Sequence, residues 1–256
     1  MQIYVCVKHV PDTAANIKVV GENGYNDSTC KFIASPYDEY AIEAAVQLVE
    51  KEGGEVVVVT VGPEAAVGTL RGAMAMGVHR GILVKVEGQF LDSGITSQAL
   101  KAAIEKDGKP DLIFTGKGSV DTEGFQTQYR LAAAMNLPVI NEVMRLTVGG
   151  GKAVAEREIG AGSREVLEAP TPCILGATKG LNEPRYPKFP DIMKAKKKEI
   201  KQFTLADLGI DAAGAGTELL KLEAVPERSG ARILEGATRD RVAELIRILK
   251  EEEKVL

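Results

Sequence analysis

The chain has 256 residues, with 36 acidic against 32 basic side chains and a formal net charge of −4, so no global positive field draws in a nucleic-acid backbone. Hydrophobic residues at 45% and charged residues at 27% are the proportions of a chain that buries a core, which argues against disorder. No apolar run reaches the roughly 20 residues that span a bilayer.

The start, Met1 to Val7, has no basic region ahead of an apolar stretch and no small-residue cleavage site, so residues 3–7 read as a strand and a cytoplasmic location is expected. Ser35 and Pro36 supply an N-cap and a first-position proline for a helix with Ala41, Ala44, Ala45, Leu48 and Val49 on one stripe, closed by Gly53 and Gly54. Residues 56–61 are apolar on both faces, as a central parallel strand requires, and Gly62 with Pro63 ends them. The alternation continues with a helix at 64–76, a strand at 81–86, a helix at 93–106, a strand at 111–115 and a helix at 125–136.

After Pro138 the pattern changes to short runs at 143–148, 152–159 and 165–167 separated by glycines, the signature of antiparallel hairpins. A core strand at 172–177 and a long irregular loop at 179–190 follow. A glycine- and alanine-rich linker at 212–216 leads to an amphipathic helix at 238–253, with Val242, Leu245, Ile246 and Leu249 on one side. These elements predict an α/β fold: a doubly wound, mostly parallel, Rossmann-like sheet at 1–203 with an antiparallel hairpin region. Residues 204–256 read as a C-terminal arm that packs on a partner, since one helix and a linker cannot bury enough surface alone.

Cys6, Cys30 and Cys173 are odd in number and far apart, and His9 and His79 have no companions at metal-ligand spacing, so neither disulfides nor a metal site is expected. No Gly-x-Ser-x-Gly elbow is present, and Glu156, Glu158 and Glu165 fall in charged hairpins that read as solvated faces. The stretch most suggestive of a ligand is Gly116, Lys117, Gly118, Ser119, Val120, Asp121, Thr122, Glu123, Gly124, Phe125, Gln126 and Thr127, between a strand's carboxyl end and a helix. Glycines there admit a phosphate to backbone N–H groups. Asp121 replaces the third glycine of a dinucleotide fingerprint, so two readings stand: a phosphate cradle, or a glycine-rich connection with Asp121 or Thr122 capping the helix. The lysines at 194, 196, 197 and 198 likewise admit an anion site or the cationic last turn of a helix.

The segment Leu181, Asn182, Glu183, Pro184, Arg185, Tyr186, followed by residues 190–198, closely resembles the β subunits of the electron transfer flavoprotein family. The stretches at 5–12, 35–38 and 116–127 agree in order and spacing, and the likeness covers roughly residues 1–210. It implies a subunit that pairs with an α subunit, which holds most of the electron-active FAD, while the β subunit holds AMP as a structural ligand. It further implies electron transfer from flavin dehydrogenases, such as the acyl-CoA dehydrogenases of fatty acid oxidation, to an acceptor quinone oxidoreductase. Carried over, the nucleotide pocket falls at Cys6, Ser35, Pro36, Tyr37, Asp38, Val61 and the twelve residues from Gly116 to Thr127. The partner-recognition segment falls at 181–186, with Leu181 as the apolar anchor. Where many AMP-type members have Asn-Gln-Thr-Gly, this chain has Phe125, Gln126, Thr127 and Gln128. The alternatives are a bifurcating subunit with a second FAD that accepts electrons from NADH and, from another class, a stand-alone adenine-nucleotide sensor. The intact 181–186 segment favours AMP.

Overall fold

Valines at 56–59, with no exposed surface, open the central layer of the computed structural model, which describes residues 1–88, 90–226 and 230–256. The chain runs β1 (Gln2–Cys6), β2 (His9–Pro11), β3 (Lys18–Val20), β4 (Gly24–Asn26), β5 (Phe32–Ala34), α1 (Pro36–Glu52), β6 (Glu55–Gly62), α2 (Val67–Ala75), β7 (Arg80–Lys85), α3 (Ser93–Asp107), β8 (Leu112–Gly116) and α4 (Thr127–Met135). It continues with β9 (Val139–Gly149), β10 (Lys152–Gly160), β11 (Ser163–Pro170), β12 (Cys173–Ala177), α5 (Phe189–Ala195), β13 (Ile200–Thr204) and α6 (Thr238–Arg247).

Nine strands join in the order β11-β10-β9-β12-β8-β1-β6-β7-β13. Every pair from β9 to β13 across this order is parallel, and only β9-β10-β11 is antiparallel. Strand alternation divides the core: Ile3, Val5, Phe114 and Leu175 pack under α1 and α2, while Tyr4, Val57, Ile113 and Ile174 face α3 and α4. The sheet is therefore doubly wound, as the alternating pattern predicts, and the hairpins extend it at one edge. Strand order reverses between β8 and β1, which opens a crevice at their carboxyl ends where ligands of such folds bind.

Asp107, at the end of α3, has its side chain fully buried and accepts bonds from Arg80 (2.7 and 2.8 Å), Lys201 (2.7 Å) and the Tyr4 hydroxyl (2.8 Å). Burial opposes its charge, but these donors outweigh it and hold the carboxyl down at about 2. The same contact ties edge strand β13 to β7 and α3.

Four features differ from the sequence pattern. Residues 9–34 form two small antiparallel pairs, β2-β5 and β3-β4, and β13 closes the sheet edge. The helix expected from 125 starts at Thr127, because Phe125 takes a φ of +49°. The first compact unit spans Met1–Leu222, past the composition shift at 204; Leu205, Leu208 and Ile210 pack against the α3 side of its core. The second unit, Glu223–Leu256, contains α6, on which Val242, Leu245 and Ile246 are each 42–50% exposed. No helix among the described residues is long and apolar enough to cross a membrane.

Candidate functional site

The crevice between β1 and β8 is organised by one buried carboxylate. Pro36 starts α1 and turns Asp38, in the first turn, down onto the strand ends. There its Oδ2 accepts the Lys8 N–H (2.7 Å) and its Oδ1 the Gly116 N–H (3.0 Å). Burial drives the Asp38 pKa up to about 7, and the two N–H donors and the Lys8 ammonium only partly oppose this. Burial, aided by the Asp38 charge, pushes the Cys6 thiol up to about 12, so it is an inert apolar wall. A Cβ on Gly116 would lie 2.5 Å from Asp38 Oδ1 and 2.8 Å from Tyr37 Cβ. Glycine at 116 is thus required by the Asp38 contact, within the protein itself.

The loop after β8 is stapled from both sides. Lys8 Nζ reaches Asp121 (2.8 Å), the Thr122 hydroxyl (3.2 Å) and the Ser119 hydroxyl (3.4 Å). The Lys117 carbonyl accepts from Gln128 Nε2 (2.8 Å) and Asn141 Nδ2 (3.2 Å), and its ammonium stands 5.0 Å over the Tyr37 ring. Glu123 and Phe125 adopt positive φ although neither is glycine, a conformation that costs free energy and is held by its surroundings. Gly118 lies under the Phe125 ring, at 2.4 Å from an added Cβ, while Gly124 faces open space.

Cys6, Ser35, Pro36, Tyr37, Asp38 and residues 116–120 are therefore gathered at the crevice, with Val61 at the end of neighbouring β6; residues 121–126 lie exposed on the outer turn. Lys8, Thr115, Gln128 and Asn141 belong to the same construction although the sequence alone assigns them no role in the site, because each is an isolated polar residue whose role depends on strands brought together from afar. Thr115 sits beside Cys6 on β1 and Gly176 on β12. Ser35 Oγ, Thr115 Oγ1 and Asn141 Oδ1 are buried and have no partner within the described protein. Such orphaned polar atoms at strand ends call for a polar ligand or water, and they suit the hydroxyls and ring nitrogens of a nucleotide.

Beside the crevice lies an open groove of about 1130 Å³, lined by Tyr37, Tyr40, Lys117, Tyr129, Arg157 and Lys179 among others. With Glu142 and Glu158 also on its wall, the groove presents aromatic faces and charges of both signs.

The segment after β12 is fastened to α1. The Asn182 amide donates to the Tyr40 carbonyl (2.9 Å), and Arg185 grips Glu43 (2.8 and 2.9 Å) and Glu50 (2.6 and 2.9 Å). Leu181, expected to project, is half-buried and packs against the core. The side chains that do project are Tyr186, 95% exposed, and Phe189, 74% exposed. Of the lysine cluster, Lys198 is turned inward, donating to the Met74 and Val78 carbonyls (3.0 and 2.6 Å) at the end of α2. Lys194, Lys196 and Lys197 are exposed.

The family model described as "Electron transfer flavoprotein domain" matches residues 24–208. The chain is 38% identical over 261 residues to the electron transfer flavoprotein subunit beta of Bacillus subtilis, and 37% identical over 260 residues to that of Bradyrhizobium diazoefficiens; each alignment covers all of both chains. It is 36% identical over 249 residues to the subunit beta of Mus musculus, covering 96% of each.

Proposed function

The chain belongs to the electron transfer flavoprotein family, among its β subunits, and from that membership we propose that it holds AMP as a structural ligand within a heterodimer whose α subunit holds most of the FAD. When bound, FAD supplies the group that accepts and passes on electrons. This chain's part is to bind, orient and dock. Ser35, Asp38, Thr115 and the loop at 116–127 would hold the nucleotide, with Lys8 bracing that loop. The observation that carries this reading is the set of buried, unpartnered oxygens on Ser35 and Thr115 beside Asp38 at the strand-order reversal.

Electrons would come from flavin dehydrogenases such as acyl-CoA dehydrogenases and leave to a quinone oxidoreductase. The docking face would be the segment at 181–186 and the turn after it: Leu181, half-buried in the free chain, as the apolar anchor, Tyr186 and Phe189 as exposed apolar contacts beside it, and Lys194, Lys196 and Lys197 as a cationic rim. The α6 face of Val242, Leu245 and Ile246 would pack on the α subunit.

Co-purification with the α subunit, denaturation and chromatography of the released nucleotides test the assignment. One AMP and one FAD per heterodimer are expected. Two FAD and no AMP would replace this reading with the bifurcating one, and no adenine nucleotide from this chain would return the 116–127 loop to a structural connection.

A further inference from the structure

From the contacts of the docking segment we infer that Arg185 is a positioning residue, which holds the segment ready for a partner without touching the partner; this rests on the docking face assigned above. The guanidinium is turned away from that face into α1. Its Nε and one terminal nitrogen take both oxygens of Glu43, and its two terminal nitrogens take both oxygens of Glu50. Glu43 and Glu50 are seven residues apart, two helical turns, and so lie on one face of α1. The Arg185 N–H adds a bond to Glu43 (3.2 Å), and Gln47 donates to the same carboxylate (2.7 Å).

Glu43 is only 3% exposed, a burial that a carboxylate tolerates because its oxygens are occupied. The arginine and its hydrogen bonds more than offset burial and keep its pKa below the usual range. A lysine could not span two carboxylates in this way, since it is a point charge with no planar fork.

The consequence reaches the next residue. With the backbone of Arg185 fixed on α1 and Asn182 fixed to Tyr40, Tyr186 projects almost wholly into solvent, with Phe189 three residues on. A connection with no secondary structure of its own from Thr178 to Lys188 would otherwise lose conformational freedom on docking, a cost that pre-organisation removes.

The test uses the co-expressed heterodimer as electron acceptor for an acyl-CoA dehydrogenase reduced by its acyl-CoA. Arg185→Met alone would strand the buried Glu43 charge and risk the fold, so it is paired with Glu43→Gln. For the double variant we expect the KM for the heterodimer to rise about tenfold with kcat within about twofold, the loss of a pre-paid ordering cost. Amide exchange of residues 178–188 should quicken, and Arg185→Lys should fall between. Phe189→Ala serves as the reference: it should raise KM and leave that exchange unchanged. If Phe189→Ala and Tyr186→Ala both keep the wild-type KM, the docking face itself is wrong and the inference falls with it. If those two raise KM and the double variant does not, Arg185 is merely structural. A raised KM with unchanged exchange at 178–188 would make Arg185 a direct contact and overturn the proposal.

Discussion

Titrating Asp38 offers the sharpest check on the crevice, because its burial makes a prediction whose sign is unusual for a carboxylate. An aspartate has a pKa near 3.8 when unfolded and about 7 here, so between these values the folded chain binds the extra proton. Stability from this group is fully present below pH 3.8 and is lost as pH rises through 7. With those two values, the linkage relation gives a loss of about 3 kcal/mol between pH 5 and pH 8. His9, whose pKa is lowered by burial, works in the opposite direction, and Glu39, raised by burial, works in the same one. Both are common to wild type and variant and cancel in the difference. Urea denaturation of the full chain and of Asp38→Asn should therefore give curves that converge or cross: relative to the variant, wild type loses about 3 kcal/mol on going from pH 5 to pH 8. The variant has its own fixed penalty, since an amide can accept only one of the two N–H groups with its oxygen, but that penalty does not depend on pH. Parallel stability profiles over this range would refute the assignment of Asp38 as a buried acid that titrates near neutrality.

Asp107→Asn should cost about 3 kcal/mol, because Arg80 and Lys201 lose a buried anionic partner. In wild type the lowered pKa contributes about 2 kcal/mol above pH 4 that disappears as pH falls through 2, so the variant should show a shallower acid limb in denaturation from pH 5 to 2. Gly116→Ala should destabilise by about 1–3 kcal/mol and release bound nucleotide, whereas Gly124→Ala, which meets no atom within 4 Å, should stay near wild type in both thermal melting and nucleotide content. Phe189→Ala should weaken dehydrogenase docking by about thirtyfold or more with melting unchanged, and Leu181→Ala should lower the melting temperature as well, which parallel kinetics and calorimetry will separate.

The parts of this fold that were legible in the sequence are those set by local periodicity. Valines at 56–59 are apolar on both faces wherever they sit, and Ser35-Pro36 begins a helix by its own dihedral limits. The excursion at 9–34 was not legible, because its four strands are three residues each and alternate too briefly to leave a pattern. Position 116 is a middle case. Its glycine was visible as a signal of close approach, but the atom that approaches is Asp38 Oδ1, 78 residues away in sequence. No local rule names that partner. Leu181 is the converse: an apolar residue in a polar loop reads as an exposed anchor, and the tertiary contacts leave it half-buried against the core, with Tyr186 and Phe189 more exposed beside it.

Helix α1 joins the two halves of the proposed function. Its first turn contributes Asp38, which bonds the chain at the ends of β1 and β8 in the crevice proposed for the nucleotide; its next turns contribute Tyr40, Glu43 and Glu50, which hold the segment proposed to dock. Ala41, Ile42, Ala45 and Val46, all at or below 3% exposure, bind the helix to the sheet between these contacts. A ligand that engages Ser35 and Asp38 therefore bears on the same rigid element that fixes Asn182 and Arg185, and close packing leaves that element little room to yield at one end without the other. The proposed nucleotide would need no redox chemistry of its own: by binding only the folded crevice it would stabilise the seat of α1, and with it the proposed docking loop.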